Sequence, residues 1–167
     1  MKKIGVGEFV RELLDGERNF RGVRFPDYAN LSDYEGFVDL NNYLRKQRLS
    51  ENPVDITGSK FRYVKARGLY LPYALGESTN FDGADLSESC LMRARFRHSH
   101  FWNAHFNNAD LWEVDFESAN LERAIFNRAI IYKANFRRAN IKGAEGLYLQ
   151  EVKDPRIELH IGFDEVN

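Results

Sequence analysis

Three histidines and one cysteine are the side chains of this sequence best suited to metal or thiol chemistry. His98, His100 and His105 lie close together, and imidazole nitrogens can bind a transition metal. No second cysteine or carboxylate set of metal-site spacing accompanies them, so ordinary surface polarity is favoured over a metal site. Cys90 is the single cysteine. An internal disulfide is therefore excluded, and Cys90 is interpreted as a surface thiol.

Motifs that carry catalysis are missing from the sequence. It has no glycine-rich phosphate loop, no nucleophile elbow and no paired cysteines for zinc. An enzyme also needs polar groups that converge in a concave site. We therefore expect no catalysis and no cofactor.

The composition is that of an ordinary soluble domain. Lys and Arg number 24 and Asp and Glu number 25 in 167 residues, giving a net charge of −1, and 43% of the residues are hydrophobic. This balance gives no overall reason to expect nucleic acid or an acidic membrane as a partner. The N-terminus starts like a signal peptide, but Glu8, Arg11 and Glu12 interrupt its apolar stretch. We expect a cytoplasmic protein.

Large apolar residues recur at every fifth position over about ninety residues. From Ile56 to Ile141, sixteen of the eighteen residues in this row are Leu, Phe or Ile, and from residue 79 on the residue two before each is small or β-branched. A period of five fits neither a helix nor a flat strand. It predicts a chain that turns after every short extended piece, with the large residue inside and the small one at the corner. The predicted core residues are Phe81, Leu86, Leu91, Phe96, Phe101, Phe106, Leu111, Phe116, Leu121, Phe126, Ile131 and Phe136.

Stacked coils of this kind form a solenoid, in which each coil buries its apolar side against its neighbours. The segments Ala84-Asp85-Leu86, Ala109-Asp110-Leu111, Ala119-Asn120-Leu121 and Ala134-Asn135-Phe136 resemble the repeats of the pentapeptide-repeat family, A-(D/N)-L-x-x. The resemblance implies an all-β solenoid, a right-handed quadrilateral β-helix with four pentapeptides per coil. It is far more specific for fold than for function.

Two columns of alternating charge support twenty residues per coil independently of this resemblance. Residues twenty apart would then lie on adjacent strands, where opposite charges attract and like charges repel. The columns are Arg97, Glu117 and Arg137, and Arg93, Glu113 and Lys133.

The chain divides into five segments. Residues 1–17 are predicted as an N-terminal capping helix, 18–31 as a first partial coil and 32–53 as an inserted helix. Residues 54–146 form the β-helix and 147–167 a C-terminal tail. Alternation from Ile157 to Ile161 predicts a strand in that tail, which would either cap the last coil or pair with a second subunit.

The inserted segment contains a possible capping box, Ser32 with Glu35, and an apolar helical stripe. The stripe comprises Tyr34, Phe37, Val38 and Leu44. We expect this helix either to pack on the neighbouring coil or to project as an arm toward a partner. The five-residue pattern also weakens at Ala66, Leu69 and Gly76. Pro72 and Tyr73 lie in the same coil, and a bulge or an outward loop is predicted there.

Outward apolar residues indicate the candidate interaction surface, which we call the apolar ribbon. Its members share one face at spacings of two and twenty residues, and they are Tyr70, Pro72, Met92, Trp112, Ile130 and Tyr132. Exposed aromatic residues grouped in this way favour a protein contact. The alternative is that the inserted helix covers them, and the two arrangements are compatible over different stretches of the face.

The sequence therefore predicts a non-catalytic protein-interaction module with an unidentified protein partner, and a homodimer through the tail or the apolar ribbon is possible. The alternative, implied by the family, is a DNA-mimicking binder of DNA gyrase of the quinolone-resistance type. Ten acids against nine bases between Glu77 and Glu145 imitate DNA poorly, although acids gather between Asp110 and Glu122. A third possibility is direct nucleic-acid binding through the bases of these coils, which are Arg93, Arg95, Arg97, Arg128, Arg137 and Arg138. These bases alternate with Glu113, Asp115 and Glu117, which weakens any positive stripe, so direct nucleic-acid binding is not expected.

Overall fold

The computed structural model describes residues 1–147 and shows the predicted solenoid. Parallel β-bridges join residues twenty apart, such as Asp55 to Leu75 and Leu75 to Arg95. Four such bridging positions occur in each regular coil, which gives the rod four faces. The bridging columns are Asn19, Asp55, Leu75, Arg95, Asp115 and Asn135 on the first face; Arg24, Lys60, Asn80, His100, Asn120 and Asn140 on the second; Asn30, Lys65, Asp85, His105, Ile125 and Glu145 on the third; and Tyr70, Cys90, Asp110 and Ile130 on the fourth.

The row of large apolar residues fills the centre of the rod. All twelve predicted core residues from Phe81 to Phe136 are buried. Phenylalanines one coil apart stack on each other: the ring centroids of Phe81 and Phe101 are 5.3 Å apart, and those of Phe106 and Phe126 are 5.0 Å apart. A coil length of twenty residues thus places like side chains in register along the axis.

Each corner is a tight turn whose third residue is left-handed. The Ala84 N–H donates to the Phe81 carbonyl at 3.0 Å, and Gly83 between them has a φ of 65°. A positive φ at this position is the feature of type II turns. Non-glycine residues take the same conformation at most other corners, for example Glu113 at 54°. The small residue after it, such as Ala84, is fully buried because a larger side chain would not fit the corner.

The Asn or Asp of the repeat has a local hydrogen-bonding role. Its side-chain oxygen accepts the backbone N–H two residues later, as Asn120 does from Glu122 at 3.2 Å and Asp110 from Trp112 at 3.1 Å. These are Asx turns. They satisfy an N–H at the corner that the coil-to-coil ladder does not use.

The N-terminal end is closed by a short strand and a helix. Strand β1 (Lys2–Lys3) pairs in parallel with β2 (Val23–Arg24). Helix α1 (Val6–Leu14) buries Phe9, Val10 and Leu13, and the Phe9 ring lies 4.7 Å from Phe20. Gly16, at a φ of 96°, ends the helix by donating its N–H to the Leu13 carbonyl. The open end of the core is therefore covered by α1.

Helix α2 (Phe37–Arg45) takes the place of the missing fourth side of the first coil. The Asn41 amide nitrogen donates to the Gly68 carbonyl at 3.0 Å, and its oxygen accepts the Tyr70 N–H at 2.9 Å. In the next coil, Cys90 is equivalent to Tyr70, and its N–H donates to the Leu69 carbonyl. One side chain of α2 thus replaces a strand at this edge of the sheet.

Two details predicted for the inserted segment are wrong. The helix begins at Phe37 after Gly36, with no side-chain cap, because the Ser32 N–H is still bonded to the Lys65 carbonyl of the coil. The capping box of Ser32 and Glu35 therefore does not form. Val38 is 66% exposed, and the buried residues of α2 are Phe37, Leu40 and Leu44.

The predicted bulge between Pro72 and Gly76 is also absent, and the bridges run through this segment without a break in spacing. Gly76 occupies the inward row. A Cβ on Gly76 would lie 2.6 Å from Cδ1 of Phe96, so the Phe96 ring of the next coil fills the space that a larger residue would take. The row of large residues is interrupted at Gly76 because the Phe96 ring fills its own place and also the space beside Gly76.

The strand predicted from Ile157 to Ile161 lies outside the described residues. Within residues 1–147, no helix combines the length and the apolar character needed to cross a membrane.

Candidate functional site

The apolar ribbon runs along the fourth face of the rod and the corner that follows it. Tyr70 and Ile130 are bridging residues of that face. The remaining four members follow the inward row by one residue and stack coil on coil through the backbone, where the Arg93 N–H donates to the Trp112 carbonyl at 2.8 Å and the Glu113 N–H to the Tyr132 carbonyl at 2.9 Å. All six predicted residues are thus brought to one surface.

Exposure of the ribbon increases toward the C-terminal end. Pro72 is buried, whereas Met92 and Trp112 are half-buried. Ile130 and Tyr132 are 55% and 49% exposed. The open part of the ribbon is therefore its last coil.

Helix α2 contacts the first coil of the ribbon. Besides the two Asn41 hydrogen bonds, the Arg45 guanidinium lies over the Tyr70 ring, 4.3 Å from its centroid. Among the described residues, no hydrogen bond or ring contact joins α2 to Met92, Trp112 or Tyr132. The helix therefore covers one end of this face and leaves the other end free.

Cations lie over the aromatic rings of the ribbon. The Arg93 guanidinium is 4.5 Å from the Trp112 centroid, and the Lys133 ammonium is 5.5 Å from the Tyr132 centroid. Both cations pair with Glu113, at 2.8 and 3.7 Å. This is the predicted column of Arg93, Glu113 and Lys133, and it borders the ribbon. Exposed pairs of this kind contribute little to stability, but they fix the cations above the rings.

The second predicted charge column is only partly formed. Arg97 lies 3.5 Å from Glu117 and 2.5 Å from Asp115. Within the part of the chain that the structure describes, no ion pair joins Glu117 to Arg137. The acids between Asp110 and Glu122 are therefore partly neutralised by arginines of the preceding coil and do not form a continuous acidic patch.

Cys90 is less accessible than predicted. It is half-buried in the bridging column between Tyr70 and Asp110, and burial raises the pKa of its thiol above the ordinary value. The fraction of reactive thiolate at neutral pH is correspondingly small.

The three histidines are distributed over a corner and two faces. His100 and His105 are bridging residues of the second and third faces, and His98 is the left-handed residue of a corner. In residues 1–147, no group of three or more His, Cys, Asp or Glu side chains is arranged to hold a metal ion.

Three residues that shape the ribbon were not among the predicted site residues. Asn41 and Arg45 belong to the inserted helix, whose position against the coils has no periodic signal in the sequence. Arg93 could have been found, because it lies twenty residues from both Tyr73 and Glu113, whose side chains it contacts.

Comparison with known proteins gave structural relatives but no curated one. No curated protein matches the sequence. The structure is similar to that of Rfr23, a pentapeptide repeat protein from the cyanobacterium Cyanothece 51142, with 23% identity over 82% of this chain and 94% of that one and a TM-score of 0.48. It is also similar to QnrB1, a plasmid-mediated fluoroquinolone resistance protein, with 14% identity over 86% of this chain and 69% of that one and a TM-score of 0.46.

The sequence profile of the family described as "Pentapeptide repeats" matches residues 59–97, 89–128 and 111–145, with eight copies of the repeat. These matches together span more than half of the chain and coincide with the coils whose bridges are twenty residues apart. The chain therefore belongs to the pentapeptide-repeat family.

Proposed function

We propose that this protein is a non-catalytic protein-interaction module, a β-helical rod that binds a protein partner through the apolar ribbon. The observation that carries the proposal is the adjacent exposure of Ile130 and Tyr132, which continues the half-buried Trp112 on the same face. Contiguous apolar surface of this kind is typical of interaction sites, and Trp, Tyr and Met are enriched in their centres.

The contact surface is centred on the C-terminal half of the ribbon. The Arg45 guanidinium covers the face of the Tyr70 ring, and Pro72 is buried. The first coil of the ribbon therefore exposes little apolar surface. Trp112 and Tyr132 each carry a cation on one side. A partner would pack against the remaining ring surface, and the Arg93–Glu113–Lys133 column would form the polar rim.

A pull-down from the native host tests this proposal when two tryptophan variants are compared. Trp112→Ser removes a ring from the ribbon, whereas Trp102→Ser removes a half-buried ring that follows the second face, on the opposite side of the rod. We expect a partner that wild type and Trp102→Ser capture and that neither Trp112→Ser nor Tyr132→Ser captures. Equal capture by all four proteins would contradict the proposal.

The partner can also be a second copy of the chain. Sedimentation velocity of wild type and Tyr132→Ser distinguishes this case, because a homodimer through the ribbon would dissociate in the variant. A dimer that persists would assign self-association to another surface, such as the tail of residues 147–167, whose role as cap or dimer strand stays a prediction.

The alternative, a DNA-mimicking binder of DNA gyrase, has less support. A duplex mimic needs uncompensated negative charge along the rod, and Glu113, Asp115 and Glu117 are each paired with an arginine. Supercoiling by gyrase should proceed unchanged when the purified protein is added. Strong inhibition would favour this alternative over the interaction module proposed above.

A further inference from the structure

Three cations are stacked directly on one another at the N-terminal end of the second face. Lys3 of β1 pairs with Arg24 of β2, and Arg24 is bridged to Lys60 of the next coil. We call these three residues the cationic ladder. Adjacent strands are about 4.8 Å apart, and like charges directly opposite each other are destabilising. All three residues are exposed.

Few carboxylates compensate this charge. Asp27 lies 3.9 Å from Arg24 and 3.8 Å from Arg62, so one carboxylate is shared between two guanidinium groups at the limit of an ion pair. A second carboxylate, Asp82, accepts hydrogen bonds from the neutral Asn80 amide and the Trp102 N–H, both at 2.9 Å, and its charge acts on Arg62. In the described residues, no ion pair involves Lys3 or Lys60. The ladder therefore keeps most of its positive charge.

The ladder also borders a concave surface. A depression of about 400 Å³ is lined by Lys3, Ile4, Gly5, Arg24, Phe25 and Pro26. Two of the three ladder residues thus face a space large enough for an anionic group, and Lys60 extends the charge to the next coil.

A pair of stacked tyrosines lies at the corner of the same face. The rings of Tyr28 and Tyr63 are 4.8 Å apart and nearly parallel, at 11°. Tyr63 follows Lys60 by three residues, so the chain places their Cα atoms within roughly 11 Å of each other, and the Arg62 guanidinium lies 5.2 Å from the Tyr63 ring centroid. A Cβ on Gly83 would lie within 2.5 Å of Tyr63 Cε1, so only glycine lets the inner ring lie flat on the next corner.

The outer ring of this pair is open to solvent. Tyr28 is 70% exposed although its ring stacks on Tyr63. A flat, exposed aromatic ring beside a positive surface is the arrangement that binds single-stranded nucleic acid without sequence preference, because cations track the phosphates and bases stack on the ring.

We infer that the cationic ladder and the Tyr28–Tyr63 pair form a binding surface for single-stranded nucleic acid. The phosphate backbone lies along Lys3, Arg24 and Lys60, and a base stacks on Tyr28. Local rules of a fold are most often broken at functional sites, and a column of three like charges is such a break. The surface lies on a different face from the apolar ribbon and does not depend on the function proposed for that ribbon.

The sequence alone gives no sign of this surface, because the cations that the regular repeat brings together are those of the later coils. Arg93 and Arg97 there are paired with acids. The ladder residues are separated by 21 and 36 positions in the chain, and only the pairing of β1, β2 and the second coil brings them together.

Fluorescence anisotropy of a labelled oligo-dT strand of about 15 nucleotides, a length within the usual range of site sizes, tests the inference. The full-length protein should bind it with an affinity that falls as salt rises. The ladder variant, with Lys3→Gln, Arg24→Gln and Lys60→Gln, should make the slope of log K against log salt less negative by about 2, because each phosphate that a cation neutralises contributes roughly −0.7 to the slope. Absence of binding by the wild type at low salt would overturn the inference.

A matched control variant shows whether binding depends on the cationic ladder or only on the total positive charge of the protein. Arg128→Gln, Arg137→Gln and Arg138→Gln remove the same charge from exposed positions of the last coils, far along the rod. This variant should bind like the wild type. If its affinity falls as much as that of the ladder variant, binding is non-specific and the assigned surface is wrong. Unchanged melting temperatures show that both variants are folded.

Tyr28→Asn and an abasic strand test the stacking. Asparagine tolerates the left-handed conformation of Tyr28, whose φ is 65°. The variant should bind the oligonucleotide roughly five- to 150-fold more weakly, the range for removal of one base stack, with the salt slope unchanged. An abasic strand of the same length should bind wild type and Tyr28→Asn equally. If wild type binds abasic strand, oligo-dT and polyglutamate equally, the surface accepts acidic polymers in general, and the assignment to nucleic acid is overturned.

Discussion

Gly76→Ala tests the regular course of the chain through residues 72–76. Gly76 occupies the inward row, and the added Cβ would lie 2.6 Å from Phe96 Cδ1, roughly 1 Å closer than ordinary van der Waals contact. The Phe96 ring is itself fixed, because it packs against Phe81, Phe101 and Phe116 at centroid distances of 5.2 to 5.9 Å. The overlap cannot be relieved by a small rotation of the ring.

Whether Gly76→Ala lowers or raises the free energy of unfolding distinguishes a regular coil from an outward loop at this segment. Overpacking of this kind costs about 1–3 kcal/mol of unfolding free energy, so Gly76→Ala should destabilise the protein. If the segment were an outward loop, the same change would stabilise by about 0.4–1 kcal/mol, because alanine restricts the unfolded chain.

Urea unfolding followed by circular dichroism measures the change, with Glu77→Ala as the exposed neighbouring control, expected within about 0.5 kcal/mol of wild type. Phe96→Leu should partly relieve Gly76→Ala. The double variant should therefore be more stable than the sum of the single effects, by about 0.5–3 kcal/mol. A stabilising Gly76→Ala, or strictly additive effects of the two changes, would refute the explanation that Phe96 fills the position of Gly76.

Four further changes test the core, the corners and the N-terminal end. Phe116→Ala, at a fully buried ring, should cost about 3–5 kcal/mol in urea unfolding, and a cost below about 1 kcal/mol would contradict the central position of this row. Ala119→Leu should lower the free energy of unfolding by about 1–3 kcal/mol, because the larger side chain overpacks a corner. An unchanged melting temperature would contradict the corner assignment. Asn120→Ala should cost about 1 kcal/mol by leaving the Glu122 N–H without its acceptor, whereas Asn120→Asp, which keeps the acceptor, should not. The N–H groups of Asn19 and Arg18 lower the pKa of Glu17, so its contribution is present above the ordinary carboxyl pKa and disappears as pH falls through the lowered value. Glu17→Gln should therefore weaken the decline of stability between neutral and acidic pH, and an identical pH dependence in variant and wild type would contradict this role.

Much of the coil architecture can be predicted from the sequence because it depends on local repetition. Most five-residue units carry their own large inward residue and their own small corner residue, and several also carry an Asn or Asp that bonds the backbone two residues later, as Asn120 does. The spacing of Arg93, Glu113 and Lys133 predicts the coil length, since these charges can alternate favourably only if twenty residues make one turn.

The position of the inserted segment could not be predicted in the same way. Where its helix begins depends on the bond between Ser32 and the Lys65 carbonyl of another coil, not on the capping residues that its own sequence contains. Its apolar residues Phe37, Leu40 and Leu44 are buried, and its register against the coil is fixed by Asn41, a single amide that bonds two backbone groups near residue 70. Neither interaction has a local sequence signal.

The candidate surfaces show the same division. Spacing alone predicts that Met92, Trp112 and Tyr132 share a face, because the repeat fixes their stacking. How much of that face remains open depends on where α2 lies, since Arg45 covers Tyr70 and leaves Tyr132 exposed.

The sequence by itself determined the solenoid, its coil length and the residues that fill its centre, because periodic burial is encoded residue by residue. Only the tertiary structure decided which charges become neighbours. Lys3, Arg24 and Lys60 belong to three separate segments, and strand pairing across those segments places them side by side. Electrostatic surfaces depend on distances through space, and in this chain the distances between its ends and insertions follow from packing, not from spacing along the sequence.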